Sequence, residues 1–167
     1  VHLTFSSSFV NNQMYDLECS LMEDISGNQA ALQSTQFMWF VPAAPSYRSV
    51  VFNEILADPT PAVGLPEVEF IELYNASDET FDLMGWQLIN TTTPKVLPTY
   101  TLSPGDFVVL CDDGSTDLFS NSIGISSFSA LTNDSDSLTL VDNFGNLIDL
   151  LVYSIDWYAS SDKSEGG

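Results

Sequence analysis

Apolar and polar residues along this chain alternate or cluster in short runs, and the three-to-four spacing of a helix is almost absent. Pro, Gly, Asn, Asp and Ser interrupt the runs every ten or so residues, the rhythm of short strands and turns. The runs predict strands at 1–5, 14–22, 35–41, 49–56, 67–75, 81–90, 96–101, 106–111, 137–142 and 146–153. Residues 107–111, FVVLC, are continuously apolar, as suits a strand buried on both faces. DNFGN at 142–146 lies between two strands and reads as a hairpin turn with Gly145 at positive φ. Residues 114–130 are Ser-rich and weakly periodic. They predict a long loop or a short helical turn, the least regular part of the chain.

PAAPSYR at 42–48 fits a short, stiff linker. Before it lie about three strands in about 45 residues, too few for an immunoglobulin-type sandwich of about 100. With no complete sheet of their own, residues 1–45 need a cover for their apolar face. Their Asp24-Ile25-Ser26-Gly27-Asn28 turn, set between YDLECSLME and STQFMWFV, is similar to the last strands of bacterial immunoglobulin-like domains.

Several short motifs follow in a fixed order. They are Asn53-Glu54-Ile55, Ile71-Glu72-Leu73-Tyr74-Asn75, Asp82-Leu83-x-Gly85-Trp86-x-Leu88, Leu102-x-Pro104-Gly105 and Asp142-x-x-Gly145. Each has a mechanical reason. Trp86 is the large core residue a sandwich needs, and Gly85 permits a tight turn before it. Asn75 can end a strand by bonding its own turn, and Pro104-Gly105 shapes a bend. In this order the motifs resemble the lamin tail domain, over roughly residues 49–158. The resemblance implies an all-β, immunoglobulin-like β-sandwich. Asn53-Glu54-Ile55 and the Asp58-Pro59-x-Pro61 loop look like the bacterial branch of the family, which implies an exported multidomain protein. The expected organisation is the last strands of a truncated β module at 1–45, a lamin tail domain at 46–158 and a flexible tail at 159–167. DKSEGG at the end and the lack of an initial Met read as a piece cut from a longer polypeptide.

Charge narrows the partners. Three Lys+Arg stand against 23 Asp+Glu, a net charge of −20. Such a surface repels phosphate, so nucleic acid and anionic membrane are poor partners. It also aids solubility. No apolar run is long enough to span a membrane. Cys19 and Cys111 form no CxxC pair, which argues against zinc. Cys111 reads as a small buried hydrophobe, and a Cys19–Cys111 disulfide is conceivable.

Candidate chemistry is sparse. Glu67, Glu69 and Glu72 suggest paired acid and base, but strand alternation divides them between two faces. His2 is the only histidine and lies at the chain end, which argues against a nucleophilic hydrolase. No catalytic residues are expected. Calcium is the one candidate cofactor, with Asp112, Asp113 and Asp117 as its ligands, in a loop rich in hard oxygen donors. Asn133-Asp134-Ser135-Asp136 offers a second set, although turn chemistry alone enriches these residues. Asn75, Asn90 and Asn133 begin Asn-x-Ser/Thr triplets, acceptors only where a secretory pathway glycosylates them. Trp39, Trp157 and Tyr158 are candidates for a glycan face, although Trp39 also reads as core and Trp157-Tyr158 as a cap on the sandwich end. The expected function is a non-catalytic extracellular or cell-surface module that spaces neighbouring domains, adheres, or binds a protein or glycan. The alternative is an accessory domain that positions substrate for a larger secreted hydrolase or nuclease.

Overall fold

The computed structural model describes residues 4–11, 13–62, 64–90, 93–128 and 131–158. The expected tail at 159–167 and His2 lie outside them. The chain divides into two compact units, Val1–Pro42 and Ala43–Gly167.

The first unit holds two antiparallel strands, β1 (Gln13–Cys19) and β2 (Gln33–Trp39), in register from Gln13 opposite Trp39 to Cys19 opposite Gln33. Residues 4–5, expected in a strand, are irregular. Between β1 and β2, Asp24 organises the turn: its Oδ1 accepts the N–H groups of Ser26 and Asn28, and its Oδ2 accepts the Asn28 amide. Those bonds hold its carboxyl below the ordinary range. Alternation puts Tyr15 and Phe37 on one face, where they stack at 5.8 Å, with Phe9 against both and against Trp39. Trp39, also read as core, is 41% exposed, because two strands make one face and no enclosed interior.

The second unit is the expected all-β sandwich. One sheet has the order β10-β9-β4-β3: β3 is Val50–Leu56, β4 Phe70–Asn75, β9 Phe107–Asp112 and β10 Ser122–Ile125. The other has the order β12-β11-β6-β7: β6 is Gln87–Ile89, β7 Lys95–Val96, β11 Ser135–Val141 and β12 Leu147–Ser154. A short pair, β5 (Phe81–Asp82) with β8 (Thr101–Leu102), stands beside them. Alternate residues point inward, so Leu138 and Leu140 of β11 and Ile71 and Leu73 of β4 have no exposed surface. Trp86 is 2% exposed, with its ring centroid 6.0 Å from that of Phe81.

Asn75 ends β4 as expected and reaches further. Its Oδ1 accepts from the backbone and hydroxyl of Ser77, while its Nδ2 donates to the carbonyls of Glu79 and Leu102. One buried amide thus joins the β4 exit to β8. With both ends of that amide engaged, Asn75 is closed to glycosylation in the folded domain.

Two expectations need correction. The run 81–90 is two strands in different sheets, because Gly85 at φ +80° and the bond from Trp86 N–H to Leu83 O fold it back on itself. The Ser-rich stretch 114–130 is more regular than read: a 3-10 turn over Asp113–Leu118 leads into β10, which pairs parallel to β9. The outer face of that sheet carries a small second core of Leu56, Phe70 and Cys111, covered by Phe119. Cys19 and Cys111 are both free thiols, Cys111 fully buried. Burial pushes the Cys111 thiol up, and the neighbouring Asp112 charge adds to the rise.

Candidate functional site

β3 and β12 are outer strands of their sheets, and they meet at one side of the sandwich. At one end they are tied together. The Arg48 N–H donates to the Ile148 carbonyl at 2.6 Å, and the Phe52 N–H donates to Asp149 Oδ2 at 2.9 Å. Asp149 is a carboxylate within the apolar run 147–152 of β12, buried because its oxygen serves as the acceptor that β3 would otherwise lack. At Asn53 the β3–β4 register slips by a bulge, and the Asn53 amide donates to Glu72 Oε1 at 2.7 Å.

Past the tie, a cleft of about 380 Å3 separates the two strands. β3 and the residues after it supply Phe52, Asn53, Glu54, Ile55, Ala57 and Asp58. The other wall is Leu151, Tyr153 and Ser154 of β12 with Ile155 and Trp157 of the 3-10 turn Ile155–Tyr158; Asn133 completes the lining. The Tyr153 hydroxyl donates to the Thr132 carbonyl, which holds that wall. Trp157 is 63% exposed, so it stands on the rim and not as a cap on the core. The lining is mixed: Phe52, Ile55, Ala57, Leu151, Ile155 and Trp157 are apolar, Asn53, Asn133 and Ser154 are polar, and its charged residues, Glu54 and Asp58, are acidic. Arg48 and Lys95, the basic residues among those described, do not line the cleft.

The acidic end extends to Glu69. Loss of hydration pushes the Glu69 carboxyl up, the Leu131 N–H at 2.9 Å pulls it partly back, and the Asp58 charge adds to the rise. Glu67 lies in a bend and Glu69 in irregular backbone before β4, because Pro66 and the bond from Val68 N–H to its carbonyl break the predicted strand. The three glutamates do not converge. Glu67 accepts from Thr60, Glu69 from Leu131 and Glu72 from Asn53.

The candidate calcium ligands sit at and just after the C-terminal end of β9. Asp112 precedes the 3-10 turn, and its Oδ1 accepts the Gly114 N–H at 3.1 Å. Asp113 and Asp117 lie within the turn, and all three are exposed. Among the described residues, no group of three or more His, Cys, Asp or Glu side chains gathers where it could share a metal ion. Asp134 is exposed, whereas Asp136 is buried, with Oδ1 on the Ser137 N–H and no partner for Oδ2 among the described residues.

A family model described as Lamin Tail Domain matches residues 43–154. The chain belongs to the lamin tail domain family. No curated protein matches it. Both tied strands of the lamin tail domain lie inside the match, whereas Ile155 and Trp157 lie beyond it. Sequence reasoning singled out Trp157 but missed Asp149, whose signal was an acid inside the run Leu147 to Val152. Among the described residues no helix is long and apolar enough to cross a membrane.

Proposed function

We propose that this lamin tail domain is a non-catalytic binding module of an exported, multidomain protein, and that it docks a partner in the cleft between β3 and β12. The observation that carries the reading is the cleft itself. It combines apolar side chains with a few polar and acidic groups, it bears an exposed tryptophan that the core does not use, and it is held by the Phe52–Asp149 bond and the Tyr153 hydroxyl. Separation of the carboxylates favours binding over catalysis, since Glu67, Glu69 and Glu72 each satisfy a different donor. The export part of the reading is supported by the bacterial-type Asn53-Glu54-Ile55 opening and by the acidic surface.

Trp157 supplies the test. Peptide and oligosaccharide libraries are screened against the full chain by tryptophan emission, with Trp157→Phe as the control. A saturable shift that is lost in Trp157→Phe is expected for at least one ligand class, together with no turnover of ester, phosphate, glycoside, peptide or nucleic-acid substrates. Turnover abolished by changing one of this chain's own carboxylates would overturn the reading. So would a library in which no ligand shifts the Trp157 emission.

A further inference from the structure

We propose that the β3–β12 cleft receives an extended basic peptide, which adds a strand along the free edge of β3 and sets lysine or arginine side chains against Glu54 and Asp58. The inference rests on the binding-module reading and names the partner's chemistry.

The first argument is backbone geometry. β3 pairs with β4 on one side, and on its other side the ties to β12 described above end at Phe52. A strand edge presents N–H and C=O groups at strand spacing, which a peptide backbone matches. Phe52 already shows the mode in miniature: its N–H takes an acceptor from outside its own sheet, the Asp149 carboxylate. The cleft continues from that point along β3.

The second argument is charge. Glu54 and Asp58 line the cleft, and Asp58 also acts on Glu69, a carboxyl that has lost part of its hydration. Like charges gathered along one edge attract a cation. A second copy of this chain is the wrong occupant, since each copy carries −20. Past the bulge at Asn53 the regular edge resumes at Glu54, whose charge guards it against pairing with another acidic chain. A basic strand is the partner that guard does not reject. The apolar part of the lining then takes the alternate side chains, with Ile55 and Leu151 on opposite walls and Trp157 over the lysine stems.

The test uses the full chain and three fluorescein-labelled peptides of about nine residues, the length of a strand with short flanks. One alternates Lys and Val, one alternates Glu and Val, and one is the Lys–Val peptide with every second amide N-methylated. Anisotropy should show saturable binding of the Lys–Val peptide alone. It should weaken by about tenfold or more in Glu54→Gln/Asp58→Asn, and stay unchanged in the remote acidic variant Glu79→Gln. Equal binding of the N-methylated peptide, or an unchanged affinity in the double variant, would reduce the effect to diffuse attraction and overturn the proposal. Absence of saturable binding overturns it as well. If an oligosaccharide shifts the Trp157 emission while all three peptides fail, the peptide inference falls and the binding-module reading stands.

Discussion

Asp142 and Asn146 close the β11–β12 turn on themselves. The Asn146 amide donates to Asp142 Oδ2 at 2.8 Å, and the Asp142 N–H donates to the Asn146 carbonyl at 3.0 Å. Asp142 Oδ1 also accepts the N–H groups of Phe144 and Asn146, and Gly145 sits at φ +84°. Asp24 and Asn28 build the same turn in the first unit, with Gly27 at φ +79°. One five-residue pattern, Asp-x-x-Gly-Asn, therefore folds twice, because a short carboxylate can satisfy the turn's own donors.

Asp142→Ala removes three acceptor contacts from a residue that is 1% exposed, and should cost about 1–3 kcal/mol. Burial works to raise this carboxyl, but the bonds from Asn146, Phe144 and Gly145 outweigh it and leave it lowered. A lowered folded value means that the stabilisation is present above the unfolded value of about 3.9 and is lost as pH falls through the folded one. Urea midpoints at pH 7 should separate wild type from variant, and the gap should narrow in acid. A gap that widens in acid contradicts the assignment.

Trp86→Ala should destabilise the second unit by about 3–5 kcal/mol, since the ring is buried against Phe81. A denaturant midpoint near wild type would show that the ring is not core. Loss of near-ultraviolet dichroism with retained far-ultraviolet signal would place the damage in packing.

Glu69→Gln should stabilise the fold at neutral pH. The amide oxygen of Gln can still accept the Leu131 N–H, while the charge near Asp58 is gone. A carboxyl raised in the folded state destabilises above its folded value and stops doing so below the unfolded value of about 4.3. Thermal unfolding should show the variant more stable at pH 7 and equal to wild type below about pH 4. An advantage that persists in acid would assign the effect to packing instead.

The parts of this fold that could be read in advance are those where one residue type has one use. Trp86 after Gly85, Asn75 at a strand end and Gly145 in its turn are of this kind, since few other residues fit those places. Strands β3, β9, β11 and β12 were visible because their apolar runs are long and bounded by turn residues. The crossover at 83–86 was not, because both halves of 81–90 are equally strand-like and only pairing separates them. The cleft was invisible for a related reason. Phe52 and Asp149 are 97 residues apart, and no local pattern records that they meet. Trp39 and Trp157 could be read either as an exposed face or as core and cap, since exposure depends on how many strands close around a ring.

β10 gives the sharpest test of the part that the sequence concealed. Ser122-Ile123-Gly124-Ile125 is short and Ser-flanked, yet Ile123 and Ile125 are 3% and 4% exposed. Gly124 is the reason the strand can lie where it does: a Cβ there would stand 2.8 Å from the Asp113 Cα and 3.0 Å from the Thr116 methyl. The 3-10 turn cannot simply move aside. Asp112 accepts the Gly114 N–H, the Ser122 hydroxyl donates to the Thr116 carbonyl, and the Phe119 ring packs on Phe70 at 5.3 Å. Gly124→Ala should therefore destabilise by about 1–3 kcal/mol, as overpacking does in a filled core. Hydrogen exchange should show faster amides in 107–125, where β9, the turn and β10 share contacts, and little change in β11 and β12. An unchanged midpoint with unchanged exchange would mean that β10 does not lie against the turn, and the parallel pairing with β9 would fall with it.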